Sequence, residues 1–143
     1  MAAGLLETHA LRELRTGFAC PSDDELQREF EASFPFVDTE DQVKVTVELK
    51  NDLESPRPMD RLLCGDVGYG KTELAMRAAC KMVRAGRQVA VLVPTTVLAE
   101  QHLRSFRERF AEFPVSVDCL SRFRGAKDSR DVLRRAGEGR STS

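Results

Sequence analysis

The sequence predicts an α/β fold, in which a parallel sheet with flanking helices follows helical lead-in segments. Short apolar runs alternate with longer amphipathic runs from residue 60 onward, and this order is typical of strands joined by crossover helices. A glycine-rich turn separates the first apolar run from the helix after it. The second run, residues 87–94, is almost continuously apolar, as strands buried on both faces of a sheet are.

The lead-in is expected to be mainly helical. Residues 4–17 place leucines near one face of a short helix, and a second helix is expected to end near Ser33. Residues 33–39 are predicted to form an extended connector, because Pro35 disfavours helical backbone in the residue that precedes it.

Residues 39–54 fit two patterns. The segment "VKVTVELK" alternates apolar and polar side chains, as a half-buried strand does. The preceding "TEDQ" is a capping box, with Thr39 as the N-cap and Gln42 three residues later, and it predicts the start of a helix. The pattern alone leaves both interpretations open.

From residue 60 onward the elements follow in a regular order. Strands are predicted over 60–65, 87–94 and 115–120, and helices over 71–86, 95–113 and 126–137. Gly86 is expected to end the first of these helices in the left-handed conformation that favours glycine.

The glycine-rich turn fits the P-loop pattern G-x-x-x-x-G-K-[ST]. Its residues are Gly65, Asp66, Val67, Gly68, Tyr69, Gly70, Lys71 and Thr72. Glycines let such a loop turn its backbone N–H groups around a phosphate, and the N-terminus of the following helix favours the same anion. Lys71 would then contact the β- and γ-phosphates of ATP, and the Thr72 hydroxyl would be a ligand of Mg²⁺. A chance match is disfavoured because an apolar strand enters the loop and an amphipathic helix leaves it.

Efficient hydrolysis also needs an acidic Walker B segment, which holds Mg²⁺ and orients the attacking water. Asp118 follows the strand-like "VSV", but Cys119 occupies the place where a second acid is needed. Asp128 and Asp131 lie on a polar helix and are better explained as solvated charges. We therefore find no Walker B segment in these 143 residues.

Charge and cysteine usage limit the possible partners. The net charge is −8 over residues 1–60, +3 over 61–103 and +4 over 104–143, so a polyanion such as DNA would prefer the second half, although a mixed solvated surface explains the charges equally well. The cysteines form no CxxC pair, which indicates the reduced thiols of a cytoplasmic protein. Neither a secretory signal nor a long apolar run is present, so no membrane partner is expected.

Four segments beyond the loop itself resemble one family. "PRPMDRLLCGDVGYGKTELAMRAA" (56–79) closely resembles the first ATPase motif of the transcription-repair coupling factor (Mfd) family, and "VAVLVPTTVLAEQH" (89–102) resembles its motif Ia. Residues 113–124 are similar to the segment that follows motif Ia, and residues 26–42 are similar to the lead-in to the motor. The related RecG family usually has a small residue at the position of Tyr69, so the first family is the better match.

This resemblance implies a superfamily 2 DNA translocase with two RecA-like motor domains and with ATP and Mg²⁺ as cofactors. Lys71 and Thr72 match its nucleotide and Mg²⁺ positions. Gln42 falls near the Q-motif glutamine that reads adenine, with a role in the capping box as the equal alternative. The resemblance also implies that residues 39–54 are a helix.

For DNA, the resemblance implies contacts to the phosphate backbone from two segments. Thr95 and Thr96 match motif Ia, where a hydroxyl and a helix N-terminus meet phosphate, and an ordinary N-cap role for Thr95 is compatible with this. Ser121, Arg122 and Arg124 match a DNA-facing segment, with a solvated loop as the alternative.

The implied domains are a helical lead-in or linker over residues 1–35 and the N-terminal part of the first RecA-like helicase ATP-binding domain over 36–143. The family's second motor domain, and the domains that bind RNA polymerase and excision-repair proteins, have no counterpart here, so the chain resembles a fragment. We expect it to bind nucleotide and to hydrolyse little. The alternatives are a non-catalytic remnant with weak nucleotide or DNA binding, and a fragment of a RecG-type branch-migration helicase.

Overall fold

The computed structural model describes residues 2–64 and 70–138. The helices in these residues are α1 (Ala2–Leu14), α2 (Glu25–Ala32), α3 (Glu40–Glu54), α4 (Lys71–Arg84), α5 (Thr96–Arg109) and α6 (Ala126–Gly137). The chain divides into two compact units, unit 1 (Met1–Ala85) and unit 2 (Gly86–Ser143). The boundary near residue 35, between lead-in and motor domain, stays a prediction.

The structure decides the ambiguous region, residues 39–54, in favour of a helix. Thr39 Oγ1 accepts a hydrogen bond from the Gln42 backbone N–H at 3.2 Å, and Gln42 Oε1 accepts one from the Thr39 backbone N–H at 2.8 Å. Both bonds of the predicted capping box are therefore present. The strand-like alternation of apolar and polar residues is therefore not matched by a strand. Leu49 and Leu53 are buried at helical spacing, whereas the Val43 and Val47 side chains are about half exposed.

Helix α4 is the centre of unit 1, because it packs against both α2 and α3. Its apolar face, which includes Leu74, Met76 and Cys80, is buried together with Phe30 of α2 and Leu49 of α3. The helix ends as predicted, since the Ala85 C-cap is followed by Gly86 with a φ of 82°.

None of the three predicted strands is formed by the described residues. Residues 61–64, 87–93 and 115–120 have no strand assignment. A strand in a parallel sheet depends on hydrogen bonds to neighbouring strands and on cover over both faces. Here the Leu62 and Leu92 side chains are 85% and 98% exposed, so the apolar pattern of these segments is not matched by burial.

Unit 2 is built around α5. Leu103, Phe106 and Phe110 are the buried apolar residues in its described part, 86–138, and the Phe106 and Phe110 rings lie 6.1 Å apart. In contrast, α6 has no buried residue. Across residues 2–64 and 70–138, no helix is long and apolar enough to cross a membrane.

Candidate nucleotide-binding site

The predicted phosphate loop is described only at its C-terminal end. Gly65, Asp66, Val67, Gly68 and Tyr69 lie outside the described residues. The next three positions, Gly70, Lys71 and Thr72, form the start of α4. Gly70 is the N-cap with a φ of 79°, and the half-buried Lys71 and Thr72 are the first two helical residues. Unpaired backbone N–H groups and the positive end of the helix dipole are therefore at this point.

A buried carboxylate lies in the same helical turn and has its own counterion. Glu73 is 7% exposed, and its Oε1 accepts a hydrogen bond from Arg77 Nε at 3.1 Å. An unpaired carboxylate in the first turn would repel a phosphate. Because Arg77 is one turn further along α4, it offsets this charge without leaving the helix.

Gln42 lies against the glycine that ends the loop. A Cβ atom on Gly70 would be only 1.9 Å from Gln42 Nε2 and 3.0 Å from its Cδ. The left-handed backbone favours glycine at residue 70, and any side chain there would displace the Gln42 amide. The capping-box role of Gln42 is confirmed, and the same side chain also brings its amide nitrogen to the phosphate loop.

Arg77 connects α4 to the segment on either side of Gln42. Its Nη1 and Nη2 donate to the two Asp38 carboxylate oxygens at 2.8 and 2.9 Å, and Nη1 also donates to Thr46 Oγ1 at 3.3 Å. The guanidinium lies 5.3 Å from the centre of the Phe34 ring. Hydrogen bonds from Arg77 lower the pKa of Asp38 below its usual value, so the pair is ionised at neutral pH.

A second cluster of buried charge, which the sequence reasoning missed, surrounds Lys81. Its Nζ donates to Asp23 Oδ1 and Glu54 Oε1, both at 2.7 Å, and to the Pro21 carbonyl at 3.0 Å. Burial opposes the charge, but these carboxylates outweigh it and raise the pKa of Lys81. The available signal was the position of two basic residues four apart, Arg77 and Lys81, in the otherwise apolar "AMRAACKMV".

The predicted DNA-binding residues all belong to unit 2. The exposed Thr95 is the N-cap of α5, and its Oγ1 accepts a hydrogen bond from the Leu98 backbone N–H at 3.2 Å. Thr96 is the first helical residue. Ser121 Oγ donates to Glu100 Oε1 at 3.4 Å, and Glu100 is about one turn after Thr96. The structure therefore brings the loop that carries Arg122 close to the start of α5.

Asp118 is held by three arginines. Its Oδ2 accepts a hydrogen bond from Arg135 at 2.6 Å, and its Oδ1 accepts from Arg124 at 3.3 Å and from Arg107 at 3.5 Å. Arg124 is consequently paired and half-buried, whereas Arg122 is exposed. Three cationic neighbours make Asp118 unsuitable as a Mg²⁺ ligand, and no cluster of three or more metal-ligating side chains occurs in the described parts of the chain.

The sequence matches the DEAD/DEAH box helicase family over residues 39–139. The chain belongs to this family. It is 52% identical to the transcription-repair-coupling factor of Bacillus subtilis over 134 residues, which is 94% of this chain and 11% of the relative. It is 51% identical to that of Myxococcus xanthus over 140 residues, which is 98% of this chain and 12% of the relative.

A solved structure of RecG bound to a three-way DNA junction is also similar to this member of the helicase family. The TM-score is 0.84 at 35% identity, over 92% of this chain and 18% of RecG. The fold is therefore that of a RecA-like helicase, although the described residues of this chain form no sheet. The chain spans only about a tenth of the curated relatives it matches.

The helicase match begins at the first residue of the capping box, Thr39. It includes Gln42, the start of α4 and both predicted DNA-binding segments. It excludes α1 and α2, although α2 packs against α4 in unit 1. The family match and the compact unit therefore divide the chain at different places.

Proposed function

We propose that this chain is the ATP-binding part of a DNA translocase or helicase that acts in transcription-coupled DNA repair. The observation that carries the proposal is the meeting of Gly70, Lys71 and Thr72 at the start of α4 with the Gln42 side chain. Its relatives at 50–52% identity carry the name transcription-repair-coupling factor, and this supports the biological setting.

The residues present fit a magnesium nucleotide. The absence of a side chain at Gly70 leaves space for the Gln42 amide beside the start of α4. In the proposal, Lys71 neutralises the β- and γ-phosphates, and the Thr72 hydroxyl takes one position around Mg²⁺. The Gly70 backbone N–H group donates to a phosphate, and Gln42 contacts the adenine base.

We further propose that the 143-residue chain binds ATP and hydrolyses it slowly. Phosphoryl transfer needs a water molecule held in line and charge neutralised around the transferred group. Asp118, the best-placed acid by sequence, already has three arginine partners. A neutralising arginine alone is worth about 10³–10⁵ in rate in related enzymes.

A fluorescent ATP analogue titrated into the chain with Mg²⁺, beside a phosphate-release assay, tests both proposals. Lys71→Ala should weaken binding by about 10- to 100-fold, the worth of a charged hydrogen bond. Lys44→Ala is the matched control, because Lys44 is an exposed lysine of unit 1 on α3. Equal binding by both variants would overturn the nucleotide site, and turnover near one per second that Lys71→Ala abolishes would overturn slow hydrolysis.

DNA is the proposed partner, contacted through backbone phosphates by Thr95, Thr96, Arg122 and Arg124. For the whole protein we propose RNA polymerase and excision-repair proteins as partners and a cytoplasmic location. A RecG-type role is the second candidate, favoured by the structural match to RecG on a junction. Tighter binding to a three-way junction than to a duplex of equal length would favour that candidate.

A further inference from the structure

We propose that Arg77 is a positioning residue for the nucleotide base. With Asp38 and Thr46 it forms a clamp, called here the Gln42 clamp, that holds the Gln42 amide against the last glycine of the phosphate loop. The inference rests on the proposed nucleotide site and concerns its preference for adenine.

The clamp holds Gln42 from both sides. Arg77 is seven residues, about two turns, from Gly70 on the same helix. Its two partners outside α4, Asp38 and Thr46, are four residues before and four residues after Gln42. The segment that carries Gln42 is therefore fixed to α4 at two points, and Gln42 itself meets the start of α4 at Gly70.

Thr46 links Arg77 directly to the Gln42 backbone by hydrogen bonds. Its hydroxyl accepts a hydrogen bond from Arg77 Nη1 at 3.3 Å and donates one to the Gln42 carbonyl oxygen at 2.7 Å. The Gln42 side chain is fixed in turn by its Oε1, which accepts a hydrogen bond from the Thr39 backbone N–H. With the backbone and Oε1 both held, the Nε2 atom lies against Gly70.

This arrangement leaves Gln42 able to distinguish purine bases. The side-chain oxygen has two lone pairs, and the capping box uses one of them. The second lone pair and the Nε2 donor match the N6 donor and N7 acceptor of adenine, whereas guanine presents two acceptors on that edge. The selectivity of the site would then depend on how firmly the clamp holds the amide.

The clamp is rigid because its central charge is buried. Arg77 is 4% exposed, and its bidentate contact with Asp38 fixes the angle between the two groups as well as their distance. If Arg77 only joined α3 to α4, loss of its bonds would change the affinity for ATP and GTP equally. If Arg77 positions Gln42, loss of its bonds lowers the affinity for ATP and leaves the affinity that comes from the phosphates unchanged.

The test compares ATP and GTP binding by the 143-residue chain, carrying Thr46→Val, Asp38→Asn or no change. We expect wild type to prefer ATP. Both variants should reduce this preference about three- to tenfold, the worth of a neutral hydrogen bond, with GTP affinity nearly unchanged. The matched control is Arg84→Gln, which removes another ion pair of α4, to Asp24 at 2.8 Å, and should leave the preference intact. An unchanged preference in Thr46→Val and Asp38→Asn would overturn the clamp.

Two further outcomes separate the clamp from the nucleotide site. If wild type binds ATP and GTP equally and Lys71→Ala loses both, the clamp is overturned and the site stands. If neither nucleotide binds, the proposed site fails, and NMR of the nucleotide-free chain decides the clamp. The Gln42 side-chain amide signals should then move in Thr46→Val and stay in place in Arg84→Gln, and the absence of any movement would overturn the clamp. The NMR comparison also applies if Asp38→Asn does not fold.

Discussion

The two units hold their charged residues in opposite ways. In unit 1, α4 buries Glu73, Arg77 and Lys81, and each has a partner of opposite charge. In unit 2, the arginines around Asp118 are more exposed, with Arg107 and Arg135 about half exposed. Buried charges lose far more when a partner is removed than exposed charges do. Removal of a charged partner should therefore cost more stability in unit 1 than in unit 2.

The largest expected effect comes from Arg77→Met. This change removes the Arg77 hydrogen bond to the buried Glu73 carboxylate and both bonds to Asp38. The cost should be about 3–5 kcal/mol of unfolding free energy, as for other broken buried pairs. Urea unfolding followed by circular dichroism measures it.

The matched change in unit 2 is Arg135→Met, which removes one of three arginine partners of the Asp118 carboxylate. It should cost about 0–1 kcal/mol, as for exposed pairs. Equal losses of unfolding free energy in Arg77→Met and Arg135→Met would show that burial does not make charged pairs in unit 1 more stabilising than those in unit 2.

The next-largest effect on stability comes from two glycines with the same backbone conformation. Gly70 and Gly86 have φ values of 79° and 82°, so an alanine at either position carries strain of about 1–2 kcal/mol. A Cβ at Gly86 meets nothing within 4 Å, whereas one at Gly70 meets Gln42 Nε2. Gly70→Ala should therefore cost roughly 1 kcal/mol more, the worth of the capping bond it displaces.

Thermal unfolding of the two alanine variants checks this difference. Gly70→Ala should also weaken ATP binding, and Gly86→Ala should leave it unchanged. If Gly86→Ala proved equally costly, the contact with Gln42 would contribute nothing to the requirement for glycine at residue 70.

A smaller effect appears in the pH dependence of stability. Hydrogen bonds from Arg77 hold the pKa of Asp38 below its usual 3.8. The unfolded chain therefore binds more protons in acid, and the stabilisation is complete above about pH 4 and is lost as the pH falls through the folded pKa. Asp38→Asn should flatten the fall in stability below about pH 4. An unchanged acid slope would show that the Asp38–Arg77 pair contributes nothing to stability.

In alkali, the change of stability with pH has the opposite sign. Burial opposes the charge on Lys81, but Asp23 and Glu54 raise its pKa above the usual 10.5. Its contribution is complete below pH 10.5 and is lost above it, as the pH rises through the folded pKa. Lys81→Met should therefore reduce the loss of stability in strong alkali, as measured by urea unfolding at pH 9 and pH 11.

Local signals in the sequence predicted the helices well. The capping box at Thr39 and Gln42 forms as predicted, and α4 and α6 begin at the predicted residues. These features depend on residues within four positions of one another, so one sequence contains them. The described residues form no strand, so the predicted sheet is not confirmed. A strand depends on distant partners that its own sequence does not specify.

The same limit applies to the site, whose nucleotide-binding and DNA-binding roles stay predictions. The pattern around Lys71 is local, and so is the Thr95 cap. The clamp joins Asp38, Thr46 and Arg77 across 31 to 39 positions, and no local pattern pairs them. Of the two roles predicted for Gln42, the structure confirms the capping role, and the adenine role stays a prediction.

The smallest expected effect concerns DNA binding by the exposed arginines of unit 2. Arg122 is exposed, whereas Arg124 is half-buried and lies 3.3 Å from Asp118. An arginine already paired with a carboxylate must break that pair before it neutralises a phosphate. Arg122→Ala should therefore lower the dependence of log affinity on log salt by about 0.9 on duplex DNA, and Arg124→Ala should lower it by less. Fluorescence anisotropy over a salt series measures both slopes, with Arg104→Ala as an exposed control on α5. Equal slopes for the two loop variants, or affinity that depends strongly on base sequence, would contradict a surface that binds through the exposed Arg122 and the α5 N-terminus.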